Sequence, residues 1–152
     1  MAESARPPLR LLLDTNVVVA GLLWSGPPRR LIDLAIEGHA LELFSSPALI
    51  AELAHTLAYP RFAARIEQFG TSSEALVAQY LALVSLVTPA SVPPVVAGDS
   101  DDDQVIAAAV TARVELIVTG DRRHLLPIGS HGGIAIVTAR ECSDRVGSGS
   151  GD

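Results

Sequence analysis

Aspartates stand at three places where a short charged side chain could do chemistry. Asp14 directly follows the apolar run Leu9-Arg10-Leu11-Leu12-Leu13, Asp121 directly follows Glu115-Leu116-Ile117-Val118-Thr119-Gly120, and between them lies Asp99-Ser100-Asp101-Asp102-Asp103. Glu52, three residues after Leu49 on an apolar helical stripe, is a fourth candidate. If such carboxylates converge, each pair at about 5 Å repels by on the order of 3 kcal/mol at an effective dielectric near 20. The chain offers little to offset this, because all 11 basic residues are Arg. A hard divalent cation is the better neutraliser, and carboxylate and water ligands suit Mg²⁺ or Mn²⁺. Beside a phosphodiester, such an ion supplies Lewis-acid polarisation, an acidified water and charge for the leaving oxygen.

Simpler readings stand beside each residue. An Asp after a strand is commonly a turn former, an Asp before a helix is commonly a cap, and a lone Glu is commonly solvated. Capping accounts for one Asp, not for four in five residues. The coincidence at two strand ends and one helix start therefore favours a common site.

The elements that must hold these residues follow from pattern. Leu9–Leu13, with one charge, reads as a strand buried on both faces of a parallel sheet, where ligands bind beyond the carboxyl ends of the strands. Helices are expected over 17–23 and 29–37, the second closed by Gly38, with a strand at 41–44. Ser46-Pro47 is a helix start, Ser as cap and Pro in the first turn, and Leu49, Ile50, Leu53, Ala54 and Leu57 follow at helical spacing. Further helices are expected over 61–68 and 73–86, with a short strand opening at Val87. The alanine-rich helix after the acidic run carries Val105, Ile106, Ala109 and Val110 inward. Asp102 lies three residues before Val105 and four before Ile106, so it continues that stripe; Asp103 falls nearer its edge, and Asp99 and Asp101 precede the helix. Strands 115–121 and 134–137 complete the alternation, which predicts a parallel sheet with helices on both faces. Residues 1–8 read as a loose lead-in, 9–144 as one domain, and 145–152, ending Gly-Ser-Gly-Ser-Gly-Asp, as a flexible tail.

Composition narrows the classes. A 152-residue chain with 49% hydrophobic residues can bury a substantial core. The single Cys142 excludes an internal disulfide and thiolate-pair zinc sites, which suits a reducing compartment. The absence of Lys removes the P-loop, Schiff-base and phosphoaspartate chemistries that require one. The apolar run 9–24 is shorter than the ~20 residues a spanning helix needs and contains Asp14 and Asn16, so a cytoplasmic protein without a membrane segment is expected. A net charge of −6 weighs against a large nucleic-acid surface, although site carboxylates would be neutralised by a bound cation. His39, His55, His124 and His131 share no metal-ligand spacing. Tyr59, Phe62 and Phe69 read as core or helix-packing residues rather than base-stacking platforms, and Trp24 as packed or part of a partner surface.

Leu-Leu-Asp-Thr-Asn at 12–16, Ser-Pro-x-Leu-x-x-Glu-Leu at 46–53, Asp-x-Asp-Asp-Asp-x-Val-Ile-Ala-Ala-Ala at 99–109 and Ile-Val-Thr-Gly-Asp at 117–121 together resemble the PIN-domain family of metal-dependent ribonucleases. The resemblance extends to its VapC-like branch, toxins of bacterial toxin-antitoxin pairs. It runs from about Leu9 to Cys142. It implies a three-layer α/β/α sandwich with a short parallel sheet, and cleavage of single-stranded RNA by an activated water. It carries the acidic positions onto Asp14, Glu52, Asp102 or Asp103, and Asp121, with metal on Asp14, Asp102 or Asp103, and Asp121. Asn16 and Thr119 match supporting polar positions. Arg61, Arg65, Arg122 and Arg123 are candidate phosphate contacts, and Arg122-Arg123-His124 departs from the lysine or acidic residue expected before the leucines. An antitoxin partner and a homodimer are further implications. The competing reading within the fold is an inactive binding module that associates with protein or RNA. A haloacid-dehalogenase-like phosphatase would need an Asp where Asn16 stands.

Overall fold

Leu11, Leu12 and Leu13 are almost wholly buried, yet they do not face the same core: Leu11 and Leu13 belong to one apolar cluster and Leu12 to another. The alternation of strand side chains thus divides the interior into two layers. The computed structural model describes residues 7–95 and 100–150; lead-in residues 1–6, Asp99 and tail residues 151–152 lie outside the described residues.

Strand β1 (Leu9–Leu13) is followed by helices α1 (Thr15–Leu23) and α2 (Pro27–Glu37), strand β2 (Leu41–Ser45), and helices α3 (Pro47–Leu57), α4 (Pro60–Gln68) and α5 (Ser73–Leu83). Then come β3 (Ser85–Leu86), α6 (Ser100–Ala112), β4 (Leu116–Val118), a 3₁₀ turn (Leu126–Ile128), β5 (Ser130–His131), β6 (Ile134–Val137) and α7 (Ala139–Ser150). The strands are ordered β3-β2-β1-β4-β6-β5, parallel except for the β5–β6 pair. Phe44, Leu12, Ile117 and Ile136 form a rung across four strands and pack with Val105, Ile106 and Ala109 of α6. The opposite face, with Leu13, Val118 and Val137, packs with Val17, Leu31 and Cys142 of α1, α2 and α7. The result is the expected α/β/α sandwich. Among the described residues no helix is long and apolar enough to cross a membrane.

Four local expectations are corrected. Helix α5 stops at Leu83, not Leu86, because Val84 is extended and Ser85–Leu86 pair with the outer edge of β2. Those backbone groups gain strand partners, and the Val87 amide donates to the Ser45 carbonyl at 2.9 Å rather than opening the strand. Helix α6 begins at Ser100, so Asp101 lies in its first turn. Helix α7 runs to Ser150, through much of the stretch read as tail. Thr138 and Glu141 form a reciprocal capping box at its start, Arg30 donates to the Ser143 carbonyl and hydroxyl, and Val146 packs on the core. Beyond these four, Gly132 and Gly133 both have positive φ, 57° and 85°. They close a two-residue hairpin that turns Ser130–His131 into an added antiparallel strand.

Candidate metal centre

Because β2 and β3 lie to one side of β1 and β4 and β6 to the other, the winding reverses between β1 and β4. A crevice opens at such a switch point, beyond the carboxyl ends of the two strands. The Asp14 amide donates to the Val118 carbonyl at 2.9 Å, so Asp14 closes the strand pairing and caps α1. Continuing the alternation, residue 14 shares the face of Leu12, and residue 119 the face of Ile117, which is the α6 side.

Both side chains meet there. The Thr15 amide donates to Asp14 Oδ1 and the Thr119 hydroxyl to Asp14 Oδ2, each at 2.8 Å. Thr119, fully buried, also accepts from the Asp121 amide at 3.0 Å. It therefore couples the carboxylate after β1 to the turn after β4. Glu52, half-buried on α3, is brought to the same place through Thr15, whose hydroxyl donates to Glu52 Oε1 at 2.9 Å. Ser46 sets the start of α3 by accepting from the Leu49 amide.

From the α6 side, Asp102 and Asp103 are both buried but do different things. Asp103 Oδ1 accepts from the Val95 amide at 2.8 Å and so ties the preceding loop to the helix. Asp102 instead groups with Asp121 and His124, with one ligand atom from each lying within 4.8 Å of the others. The His124 Nδ1 stands 3.6 Å from Asp102 Oδ2 and 3.6 Å from Asp121 Oδ2. Asp121 Oδ1 accepts from the Arg123 and His124 amides, and buried Leu125 anchors the turn in the α6-side core. Burial pushes the Asp121 carboxyl up, but those two amides, the Asp102 side chain and the neighbouring His124 outweigh it and hold the group below its usual value.

The donor chemistry fits a divalent cation. Two carboxylates and an imidazole converge on a partly open turn, with Asp14 linked to them through Thr119. His124 is a member that sequence reasoning missed. Its signal was only an Asp and a His three residues apart after a strand end, with no second His at ligand spacing.

The other expected residues are dispersed. Asn16 is exposed on the first turn of α1, and Arg122 and Arg123 are exposed beside Asp121. Arg61 lies over the Tyr59 and Phe62 rings. Arg65 donates to the Leu23 carbonyl and lies over Trp24 and Phe69, in a separate groove that Leu22 and Arg29 also line. Leu23 ends the nine-residue α1 that Asp14 caps, ~13 Å away at 1.5 Å per residue. The structure therefore does not bring Arg65 to the carboxylates. Of the two readings of Tyr59 and Phe69, core or helix packing, the second holds: they are 38% and 52% exposed, Tyr59 meets the His55 ring of α3 edge-on, and Phe69 lines the groove beside Trp24.

Residues 10–123, well over half of the chain, match the family model described as PIN domain. No curated protein matches the chain.

Proposed function

The chain belongs to the PIN-domain family, whose members are generally nucleases that use divalent metals, and we propose that it is a metal-dependent endoribonuclease acting on single-stranded RNA. The observation that carries this reading is the grouping of Asp102, Asp121 and His124 beside the β1–β4 switch point, with Asp14 tied through the Thr119 hydroxyl to the Asp121 amide. In this reading Asp14, Asp102 and Asp121 hold Mg²⁺ or Mn²⁺, and Asp103 supports the helix start through the Val95 amide. Glu52, positioned by the Thr15 hydroxyl, orients the attacking water and takes its proton. A bound cation would polarise the phosphoryl oxygen and acidify that water. Water adds to phosphorus, the bridging P–O bond breaks, and the leaving oxygen takes up a proton from solvent. In this reading Arg122 and Arg123, exposed and next to Asp121 in sequence, take a neighbouring phosphate, since guanidinium matches phosphate oxygens bidentately.

The same reading makes the protein a cytoplasmic toxin of a toxin-antitoxin pair, held by a cognate antitoxin and able to form a homodimer. The test is incubation of purified protein with structured and unstructured RNAs in Mg²⁺, Mn²⁺ or chelator, beside Asp14→Asn. The expected outcome is cleavage of unstructured RNA that is lost with chelator and with Asp14→Asn. Cleavage that survives both would overturn the reading. No cleavage of any RNA, together with metal-independent capture of a protein or RNA, would assign an inactive binding module. Growth arrest on expression, relieved by a small neighbouring reading frame and absent in Asp14→Asn, would support the toxin role.

A further inference from the structure

We propose that His124 is a nitrogen ligand of the cation held at this site, and that it shifts the site's preference from Mg²⁺ toward Mn²⁺. The proposal rests on the metallonuclease reading above and names a ligand outside its carboxylates.

The imidazole is equidistant from two carboxylate oxygens, 3.6 Å from Asp102 Oδ2 and 3.6 Å from Asp121 Oδ2. Atoms ligating one ion at roughly 2.0–2.2 Å lie roughly 3–4.4 Å from each other, so the observed spacing is that of three donors on a single cation after only small adjustments. The backbone holds the ring there. The His124 amide donates to Asp121 Oδ1 at 3.1 Å, the Leu126 amide donates to the Asp121 carbonyl at 2.9 Å, and Leu125 is fully buried. The His124 side chain nevertheless keeps 39% of its surface exposed, so an ion can reach it from solvent.

Donor type then decides which ion. Carboxylate and water oxygens suit Mg²⁺ and Mn²⁺ alike, whereas imidazole suits later first-row ions better than Mg²⁺. Mg²⁺ also demands near-ideal octahedral geometry and gives up water reluctantly. An all-carboxylate site would discriminate little between the two ions; one with an imidazole donor favours Mn²⁺. The simpler alternative is that His124 is only a cationic partner of the two carboxylates, displaced when metal binds.

The test uses the full chain, freed of metal and titrated calorimetrically with MnCl₂ and separately with MgCl₂. Echo-modulation spectra of the Mn²⁺-loaded protein report directly coordinated nitrogen. We expect nitrogen coupling in the wild type and none in His124→Gln. The variant should lose on the order of tenfold in Mn²⁺ affinity while its Mg²⁺ affinity stays nearly unchanged. Asp102→Asn should abolish binding of both ions and so locate them at this site. Mn²⁺ binding that depends on Asp102 but shows no nitrogen coupling would overturn the proposal and leave the nuclease reading standing. Coupling that persists in His124→Gln, or an equal loss of affinity for both ions, would overturn it in the same way. A wild-type chain that binds neither ion would overturn both.

Discussion

Thr119 is the residue on which the two halves of the site depend. Its hydroxyl donates to Asp14 and accepts from the Asp121 amide while being fully buried. A Thr119→Val substitution keeps the shape but takes the hydroxyl away from a buried carboxylate oxygen and an amide. That costs ~1–3 kcal/mol, and we expect a fall of this size in urea unfolding together with at least a tenfold loss of RNA cleavage. Thr119→Ser should preserve both. A Thr119→Val protein with wild-type cleavage would show that Thr119 does not position Asp14. At this scale the sequence was legible wherever a side chain's place follows from the element that carries it. Asp14 and Asp121 could be located because each follows an apolar strand, and Asp102 because it extends the Val105–Ile106 stripe. The different employment of Asp103 was hidden, since it depends on where the distant Val95 amide falls. His124 was hidden for a similar reason: its placement needs a turn closed by Asp121 Oδ1 and anchored by Leu125, neither of which is a periodicity.

Helices α1 and α2 approach so closely that a Cβ at Gly21 would lie 2.6 Å from Ile32 Cδ1 and 2.9 Å from the Pro28 carbonyl oxygen. The side chain could yield, but the carbonyl belongs to the first turn of α2 and cannot move alone. Gly21→Ala should therefore destabilise the fold by ~1–3 kcal/mol despite alanine's better helix propensity; a stabilised variant in a denaturant titration would refute that packing. Helix α7 supplies a second test. Glu141 is held below its usual pKa by the Thr138 amide and hydroxyl, so the folded state favours its charged form. Its contribution is present above the unfolded pKa and lost as pH falls through the lower folded value. The advantage of wild type over Glu141→Gln in melting temperature should accordingly be full at about pH 6, above the ordinary Glu value, and shrink as the pH falls below it. An advantage that grew on acidification would reverse the sign of the argument. The long elements were legible from their stripes and caps: Ser46 and Gly38 sit where expected. The short ones were not, because β3 exists only to pair the edge of β2 and β5 only because Gly132-Gly133 turn back. Neither two-residue strand carries a period of its own. The same holds for α7, whose Gly-Ser composition argues against a helix that Arg30 and Val146 nonetheless hold to the core.

For the whole molecule, the net charge of −6 limits how the proposed RNA substrate could be held. A polyanion gains little from such a surface as a whole, so under the proposed ribonuclease function a bound cation and the few arginines beside it would carry the association. If Arg122 and Arg123 are the phosphate contacts, log K should fall against log salt with a slope of about −1.4, taking ~0.7 per phosphate neutralised on a single strand. The measurement is fluorescence anisotropy of a labelled single-stranded RNA at fixed Mn²⁺, in the Asp14→Asn background to keep the RNA intact. Arg122→Gln should halve the slope. Arg61→Gln should leave it unchanged, because Arg61, on α4, lies over the Tyr59 and Phe62 rings. A much steeper slope, reduced by Arg61→Gln, would instead place the RNA across the exposed aromatic and arginine surface of α4. Tyr59 and Phe69, both partly exposed, would then be stacking surfaces for its bases.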